Sequence, residues 1–220
     1  MPGHFQIAHA SEADREKRGW SELRYRHLVP DPEQWDAIIN HRELPRAPRA
    51  TLITDFYSYN TNLTAESTSL IDYPRGDQEN AWMQPHWVGD LSISASLKVA
   101  TPGGAVRFEL IEGGVVNRCE MDLVTGKATL RHGDKVLGEE PCRIVGPGTY
   151  DITFANVDDR LTLLINGRGV FGDGVPYDGP ENHPAPTAED LSPVAIAAKG
   201  ASVEVSDLVL NRDIYYTLYP

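Results

Sequence analysis

The chain has 220 residues, of which 40% are hydrophobic and 24% charged, so it is long enough for one large domain with its own core. Its formal net charge of −12 would repel the phosphates of nucleic acids and anionic lipid headgroups, so we expect neither as a partner. No apolar run approaches the ~20 residues of a membrane helix, and Met1–Phe5 lacks the basic and then apolar pattern of a signal peptide. The sequence therefore predicts a chain that is soluble in isolation, with no direct insertion into a membrane.

Residues 1–50 differ in pattern from the rest and predict a partly helical N-terminal arm with a linker. Ser11–Arg18 has a serine cap and a charged run, which indicates a short helix. A second helix should begin after Asp31, since Pro32 suits the first helical position, and should end near His41. Leu44–Arg49 contains two prolines and predicts an extended linker.

From residue 51 onward, apolar residues recur at every second position, which is typical of strands with one buried face. The clearest run alternates with serines and a lysine, and its apolar members are Leu91, Ile93, Ala95, Leu97 and Val99.

Turn signals separate these alternating segments. Gly113–Gly114 and Asn156–Asp159 should each reverse the chain, and Asn166–Gly167 predicts a two-residue hairpin turn that needs positive φ. Residues 172–192 are rich in Gly, Pro, Asp and Asn and predict a long surface loop.

Together these segments predict an all-β fold, a concanavalin A/laminin-G-like jelly-roll antiparallel β-sandwich, over residues 51–217, followed by a tail at 218–220. Nineteen glycines and sixteen prolines fit a fold with many turns. In the last strand the apolar phase shifts between Val205 and Leu208, which predicts a β-bulge.

The two cysteines, Cys119 and Cys142, have no cysteine partner at metal or redox spacing. Two readings stay open from the residues: a pair of buried thiols, or a disulfide, which would imply an oxidising compartment.

Several segments resemble a large insertion found in planctomycete-type signal peptidase I proteins. They are Ile53–Tyr57 (ITDFY), Trp87–Leu91 (WVGDL), Asn117–Leu130 (NRCEMDLVTGKATL), Gly146–Leu163 with its GPGTY and FANVDDRLTL runs, and Asn211–Thr217 (NRDIYYT). The resemblance covers most of residues 20–217, and the closing NRDIYYT is its most specific part. It implies a concanavalin/laminin-G-like domain on the extracytoplasmic side of the membrane, carried by a membrane-anchored parent protein.

The catalytic residues of that family have no counterpart here. Signal peptidases use a serine in a Ser-Met-x-Pro context, activated by a lysine. The chain has no Ser-Met pair, and none of its five lysines is placed like that base. The resemblance therefore implies a non-catalytic accessory domain with no catalytic residues, whose partners would be the flanking peptidase domain and a secreted-protein substrate or an envelope glycan.

Two further possibilities are a glycoside hydrolase and a calcium site. Retaining glucanases of concanavalin-type sandwiches carry Glu-x-Asp-x-x-Glu on one strand. Glu120 and Asp122 begin that pattern, but Thr125 stands where the second glutamate belongs, so a solvated strand face is the simpler reading. Asp158 and Asp159, like the Asp-rich 172–190 loop, could ligate calcium, but Asx-rich turns form hairpins without metal far more often. We expect no metal and no cofactor.

The alternative to the accessory domain is a carbohydrate-binding lectin-like module. Aromatic faces pack against sugar C–H groups, and the candidate ligand-binding residues are Tyr57, Tyr59, Trp82, His86 and Trp87. The alternative for the tryptophans is that they belong to the hydrophobic core.

Overall fold

The computed structural model describes residues 5–6, 19–55, 86–101, 103–144, 146–179 and 185–213. In chain order its strands are β1 (Phe5–Gln6), β2 (Ser21–Tyr25), β3 (Thr54–Asp55), β4 (His86–Trp87), β5 (Leu91–Thr101), β6 (Ala105–Glu112), β7 (Val115–Asp122), β8 (Lys127–His132), β9 (Lys135–Pro141), β10 (Gly148–Val157), β11 (Arg160–Ile165), β12 (Arg168–Gly169), β13 (Val175–Pro176), β14 (Val194–Lys199) and β15 (Ser202–Arg212). An α-helix, α1, spans Pro32–Ile39, and a short 3-10 helix spans Ala188–Leu191.

These strands form two antiparallel sheets that pack face to face. One has seven strands in the order β1-β2-β14-β6-β7-β8-β9. The other runs β12-β11-β10-β5-β15, with β13 as a sixth strand paired to β11, while β3 and β4 pair only with each other. The predicted all-β jelly-roll sandwich is therefore confirmed.

The core lies between the two sheets because each central strand turns its apolar residues inward. On β5, Ile93 and Leu97 are fully buried, whereas the serines between them are half-exposed. Phe108 of β6 and Phe154 of β10 bring two fully buried rings into the same cluster from opposite sheets. Truncating either ring to alanine would cost about 3–5 kcal/mol.

The predicted turns are confirmed. Asn166 and Gly167 have φ of 51° and 73° and join β11 to β12, as a type I′ hairpin turn requires. Gly113–Gly114 joins β6 to β7 with positive φ at both residues. In β15 the register shifts between Ser206 and Val209, so the predicted bulge is also confirmed.

The N-terminal region contains one confirmed element and two unexpected strands, β1 and β2, which pair with each other. Helix α1 begins after Asp31, whose carboxylate accepts from the Gln34 backbone N–H at 2.9 Å, while the Asp31 backbone N–H donates to Gln34 Oε1. The predicted helix at Ser11–Arg18 lies outside the described residues. Strand β2 was expected to belong to the arm but joins the seven-stranded sheet beside β14, because Leu23 and Tyr25 alternate with charged residues and can face the core. The division of the chain at residue 50 stays a prediction.

The segment 172–192, predicted as a surface loop, is tied to the sandwich over its described part. β13 adds a short pairing to β11. The Asp190 carboxylate is buried and accepts from the backbone N–H groups of Gly113, Gly114 and Thr187 at 2.8–3.1 Å. The buried acid satisfies three backbone donors and so fixes the position of a polar loop. The composition of the loop did not predict this attachment.

Both cysteines are buried and carry free thiols, so the structure favours the first of the two open readings. Burial raises the pKa of the Cys142 thiol and, more strongly, that of Cys119. Among the described residues, no helix combines the length and apolar character that a bilayer crossing requires.

Candidate functional site

The outer face of the seven-stranded sheet carries a cluster of charged side chains arranged around two alanines of β14. Ala195 lies between Arg24 of β2 and Glu109 of β6 in the ladder. One pleat along, Ala197 lies between Glu22 and Arg107. Because an alanine side chain is only a methyl group, the long charged side chains on either side can meet above it.

The Glu109 carboxylate is the centre of this cluster. It is only 4% exposed, and three guanidinium groups surround it. Arg24 donates from Nη2 to Glu109 Oε2 at 3.1 Å, Arg118 donates from Nε to Oε1 at 2.9 Å, and Arg107 Nε lies 3.1 Å from Oε1. A carboxylate so far removed from water is tolerated when several cations compensate its desolvation.

Glu22 extends the network along the sheet. Its carboxylate accepts from Arg24 Nε at 2.7 Å and lies 3.6 Å from Arg107 Nη2. Burial acts to raise the pKa of Glu22, but the hydrogen bond from Arg24 and the attraction of both arginines outweigh burial and hold the pKa below its ordinary value. Glu22 is therefore an anion at neutral pH, and its acceptor oxygens are held in place.

Trp20 borders this network on the β2 side. The guanidinium carbon of Arg107 lies 4.4 Å from the centroid of the Trp20 ring, which is a cation–π contact. Trp20 is half-buried, so part of the ring faces solvent. We call this surface the charged patch and define it by Trp20, Glu22, Arg24, Arg107, Glu109 and Arg118.

The ligand-binding residues predicted from the sequence lie elsewhere. Tyr57, Tyr59 and Trp82 are outside the described residues. The backbone of His86 pairs with Asp55, and Trp87 is 3% exposed, inside the protein. The predicted role of this aromatic group in ligand binding stays a prediction.

The charged patch was missed by sequence reasoning, although a partial signal existed. In β2, Glu22 and Arg24 alternate with apolar residues, and Arg107 and Glu109 do the same in β6. That alternation places each pair on an outer face. Nothing local indicates that β14 would be inserted between β2 and β6.

The acids of the glucanase-like pattern lie on the same outer face, but Asp122 has a structural role. Its Oδ1 accepts from the backbone N–H groups of Val124 and Thr125 at 2.8 and 2.9 Å. These bonds, the one from Thr125 first, hold the pKa of Asp122 below its ordinary value. An acid fixed as an anion by the β7–β8 turn is poorly suited to donate a catalytic proton.

Asp158 and Asp159, the calcium candidates, are the two central residues of the β10–β11 turn, both with φ of 52°. No three His, Cys, Asp or Glu side chains are grouped to hold a metal ion within the part of the chain that the structure describes. These φ values are those of a two-residue type I′ hairpin turn, and the absence of calcium stays a prediction.

A second polar cluster closes one end of the sandwich between the sheets. Asn156 donates from Nδ2 to Glu112 Oε2 at 2.7 Å, and the Tyr177 hydroxyl donates to Asn156 Oδ1 at 2.7 Å. The His132 ring stacks on Tyr177 at 4.1 Å, and its Nδ1 lies 2.8 Å from Asn117 Oδ1. We call these five residues the end layer.

The acid of the end layer is in an unusual electrostatic setting. Burial, followed by repulsion from Asp90, raises the pKa of Glu112 to about 7. Its partners are a neutral amide and a phenol, which compensate a negative charge less than a guanidinium does. Gly89 passes so close that a Cβ there would lie 2.7 Å from Glu112 Oε1. The end layer is thus a tightly fitted internal network rather than an open surface.

Two segments of the signal peptidase resemblance meet in space. Arg212, in the closing run, donates from Nη1 to the Thr54 carbonyl at 2.7 Å and pairs with the Asp55 carboxylate. This contact ties the last strand to the β3–β4 pair and gives both segments a structural role.

No family model and no curated protein matches the chain. Among solved structures, it is similar to a carbohydrate-binding module, CBM66, from Bacillus subtilis, with 11% identity, TM-score 0.42, and coverage of 56% of this chain and 74% of that one. Sheep galectin-11 gives 9% identity and TM-score 0.39 over 56% of this chain and 90% of the galectin. A Trypanosoma rangeli sialidase gives 12% identity and TM-score 0.40 over 55% of this chain and 20% of the sialidase. These are distant likenesses, and the sandwich assignment rests on the two sheets themselves.

Proposed function

We propose that this chain is a carbohydrate-binding module that holds a glycan on the charged patch. The observation that carries the proposal is the fixed array of guanidinium and carboxylate groups beside the half-exposed Trp20, above the two alanines of β14.

The chemistry of a sugar fits this arrangement. Neighbouring sugar hydroxyls both donate and accept, so they need donors and acceptors side by side, and bonds to charged groups are the stronger ones. Arg118 uses Nε on Glu109, and its Nη groups form no hydrogen bond with any described residue. Glu22 supplies oriented acceptors, and the face of Trp20 can pack against sugar C–H groups.

Pre-organisation also favours binding. The arginines of the patch are already ordered by their ion pairs, so a ligand does not have to immobilise long flexible side chains. The ladder of the sheet sets the spacing of these groups, which makes the site rigid as well as polar.

A glycan array followed by calorimetry on the best ligand tests the proposal. We expect a dissociation constant on the order of 1 mM or tighter. Trp20→Ala and Arg118→Gln should each weaken binding roughly tenfold. The matched control is Trp35→Ala, which removes a 43%-exposed tryptophan from α1. An array without ligands, or equal binding by all three variants, would overturn the assignment.

We also propose, on the sequence resemblance alone, that the module is an extracytoplasmic accessory domain of a signal peptidase I-like parent. The closing NRDIYYT segment supports this proposal. Its test is the reading frame around the segment, which should encode Ser-Met-x-Pro and a lysine upstream and Gly-Asp-Asn-Ser downstream. A reading frame without these motifs would overturn the proposed parent protein. The glycan-binding proposal would still be tested by the array.

A further inference from the structure

A concave region lies at the β9 edge of the seven-stranded sheet, away from the charged patch. It is a cleft of about 740 Å³ between the end of β9, the last strand of one sheet, and the β11–β12 hairpin at the edge of the other. β8 lies between β7, the nearest patch strand, and β9, whose end lines the cleft. Its volume falls within the ~300–1,000 Å³ range of small-molecule sites.

The walls of the cleft are already ordered. The Tyr150 hydroxyl donates to the Gly146 carbonyl at 3.2 Å, which fixes a ring that lines the cleft. Across from it, the Asp151 backbone N–H donates to Asn166 Oδ1 at 2.8 Å, so the hairpin turn is held to β10. Such a cleft needs little rearrangement to admit a ligand.

The lining combines an apolar floor with cationic groups. Tyr150, Ile165 and Val170 supply the apolar surface. Arg143 and Arg168 also line the cleft, and neither forms an ion pair with any described residue.

Arg143 and Arg168 stand out because the protein as a whole is acidic. The chain has a net charge of −12, yet among the described residues Glu140 is the one acid that lines the cleft. Arg143 has φ of 62°, a conformation that non-glycine residues seldom adopt and that is over-represented at binding sites. Two guanidiniums that form no ion pair with a described residue, at one concave region of an acidic protein, form a local field that attracts an anion.

We propose that this cleft is a second ligand site, which binds a small organic anion with an apolar body. The anionic group is bound by Arg143 and Arg168, whose planar guanidiniums suit carboxylate, sulfonate or phosphate oxygens. The ring or chain of the ligand packs on Tyr150, Ile165 and Val170. This site does not depend on the proposed glycan binding.

Titration of the full chain with 8-anilinonaphthalene-1-sulfonate, an aromatic organic anion, tests the proposal. We expect one saturable site, with backbone amide shifts in NMR spectra concentrated at Tyr150, Ile165 and Val170. Affinity should fall as salt is added, because the ion pairing is partly exposed. Saturation with shifts elsewhere would overturn the proposal.

Variants separate the cleft from non-specific binding. The double variant Arg143→Gln/Arg168→Gln should lower affinity at least about tenfold, whereas the charge-matched control Arg131→Gln/Arg160→Gln should bind as the parent does. Val170→Trp keeps every charge and fills the cleft, so it should also prevent binding, which keeps the test decisive if the double variant fails to fold. Equal affinity in the double variant and its control, or unchanged binding by a folded Val170→Trp, would overturn the proposal.

Discussion

The charged patch and the end layer are both built around glutamates, yet their electrostatics are opposite. In the patch, Glu22 and Glu109 are surrounded by arginines, and the pKa of Glu22 lies below its ordinary value. In the end layer, Glu112 has an amide and a phenol as partners, and its pKa is raised to about 7. Burial acts to raise both pKa values, and the arginines around Glu22 outweigh it whereas the neutral partners of Glu112 do not.

The two regions also differ in their access to a ligand. The patch lies on the outer face of a sheet, where its bonds hold side chains in place while leaving part of Trp20 and Arg118 open to solvent. The end layer lies between the sheets, where Glu112, Asn156 and Tyr177 bond to one another. This difference is why we assign recognition to the patch and a structural role to the end layer.

The largest expected effect is the loss of the central anion of the patch. Glu109→Gln removes the charge that three guanidiniums share, and breaking such a buried pair should lower the free energy of unfolding by roughly 3 kcal/mol. Urea unfolding at pH 7 measures this change. Glu139→Gln, which alters an acid whose ion pair with Lys127 is about half-exposed, serves as the control. A cost no larger than that of the control would show that Glu109 is not the centre of the patch.

The second prediction concerns the pH dependence of the end layer. The pKa of Glu112 is raised from 4.5 to about 7 in the folded state, so its contribution to stability is present below about pH 4.5 and is lost as the pH rises through 7. Glu112→Gln should therefore remove a decline of roughly 3 kcal/mol between pH 4.5 and pH 8.

Urea unfolding at several pH values, with Glu120→Gln as the control, measures that decline. The patch should behave in the opposite sense, because the lowered pKa of Glu22 makes its contribution present above about pH 4.5 and lost as the pH falls. Parallel pH profiles for the parent and Glu112→Gln would contradict the raised pKa.

A third prediction tests the alanines under the patch. Ala195→Leu should push Arg24 and Glu109 apart and cost about 1–2 kcal/mol, since overpacking strains its neighbours. It should also reduce glycan binding. Ala155→Leu, on the outer face of the other sheet, is the matched control and should have a smaller effect on stability and none on binding. If Ala195→Leu kept its affinity for the glycan, the alanines of β14 would not be needed for recognition.

The smallest effect is expected for an exposed ion pair on the six-stranded sheet. Lys98 and Glu204 are 63% and 69% exposed and lie 2.9 Å apart. Lys98→Gln should change the free energy of unfolding by less than about 0.5 kcal/mol, because water screens such pairs. Thermal unfolding at low and high salt measures it. A larger loss of stability would mean that solvent exposure does not explain a difference between this ion pair and those of the patch.

The sequence by itself determined the local features. Period-two alternation predicted the strands, Asn166–Gly167 predicted its turn, and Asp31–Pro32 predicted the start of α1. Each of these depends on the φ/ψ preferences and burial of neighbouring residues, which the sequence shows directly.

Only the tertiary structure decided which faces and ends meet. Arg24 and Glu109 are 85 positions apart and pair because β14 is inserted between β2 and β6. Likewise, Asp190 attaches a loop of ordinary turn composition to the β6–β7 turn. Strand order depends on how whole sheets bury their apolar faces, a non-local property, so the sites that arise from it could not be predicted from neighbouring residues.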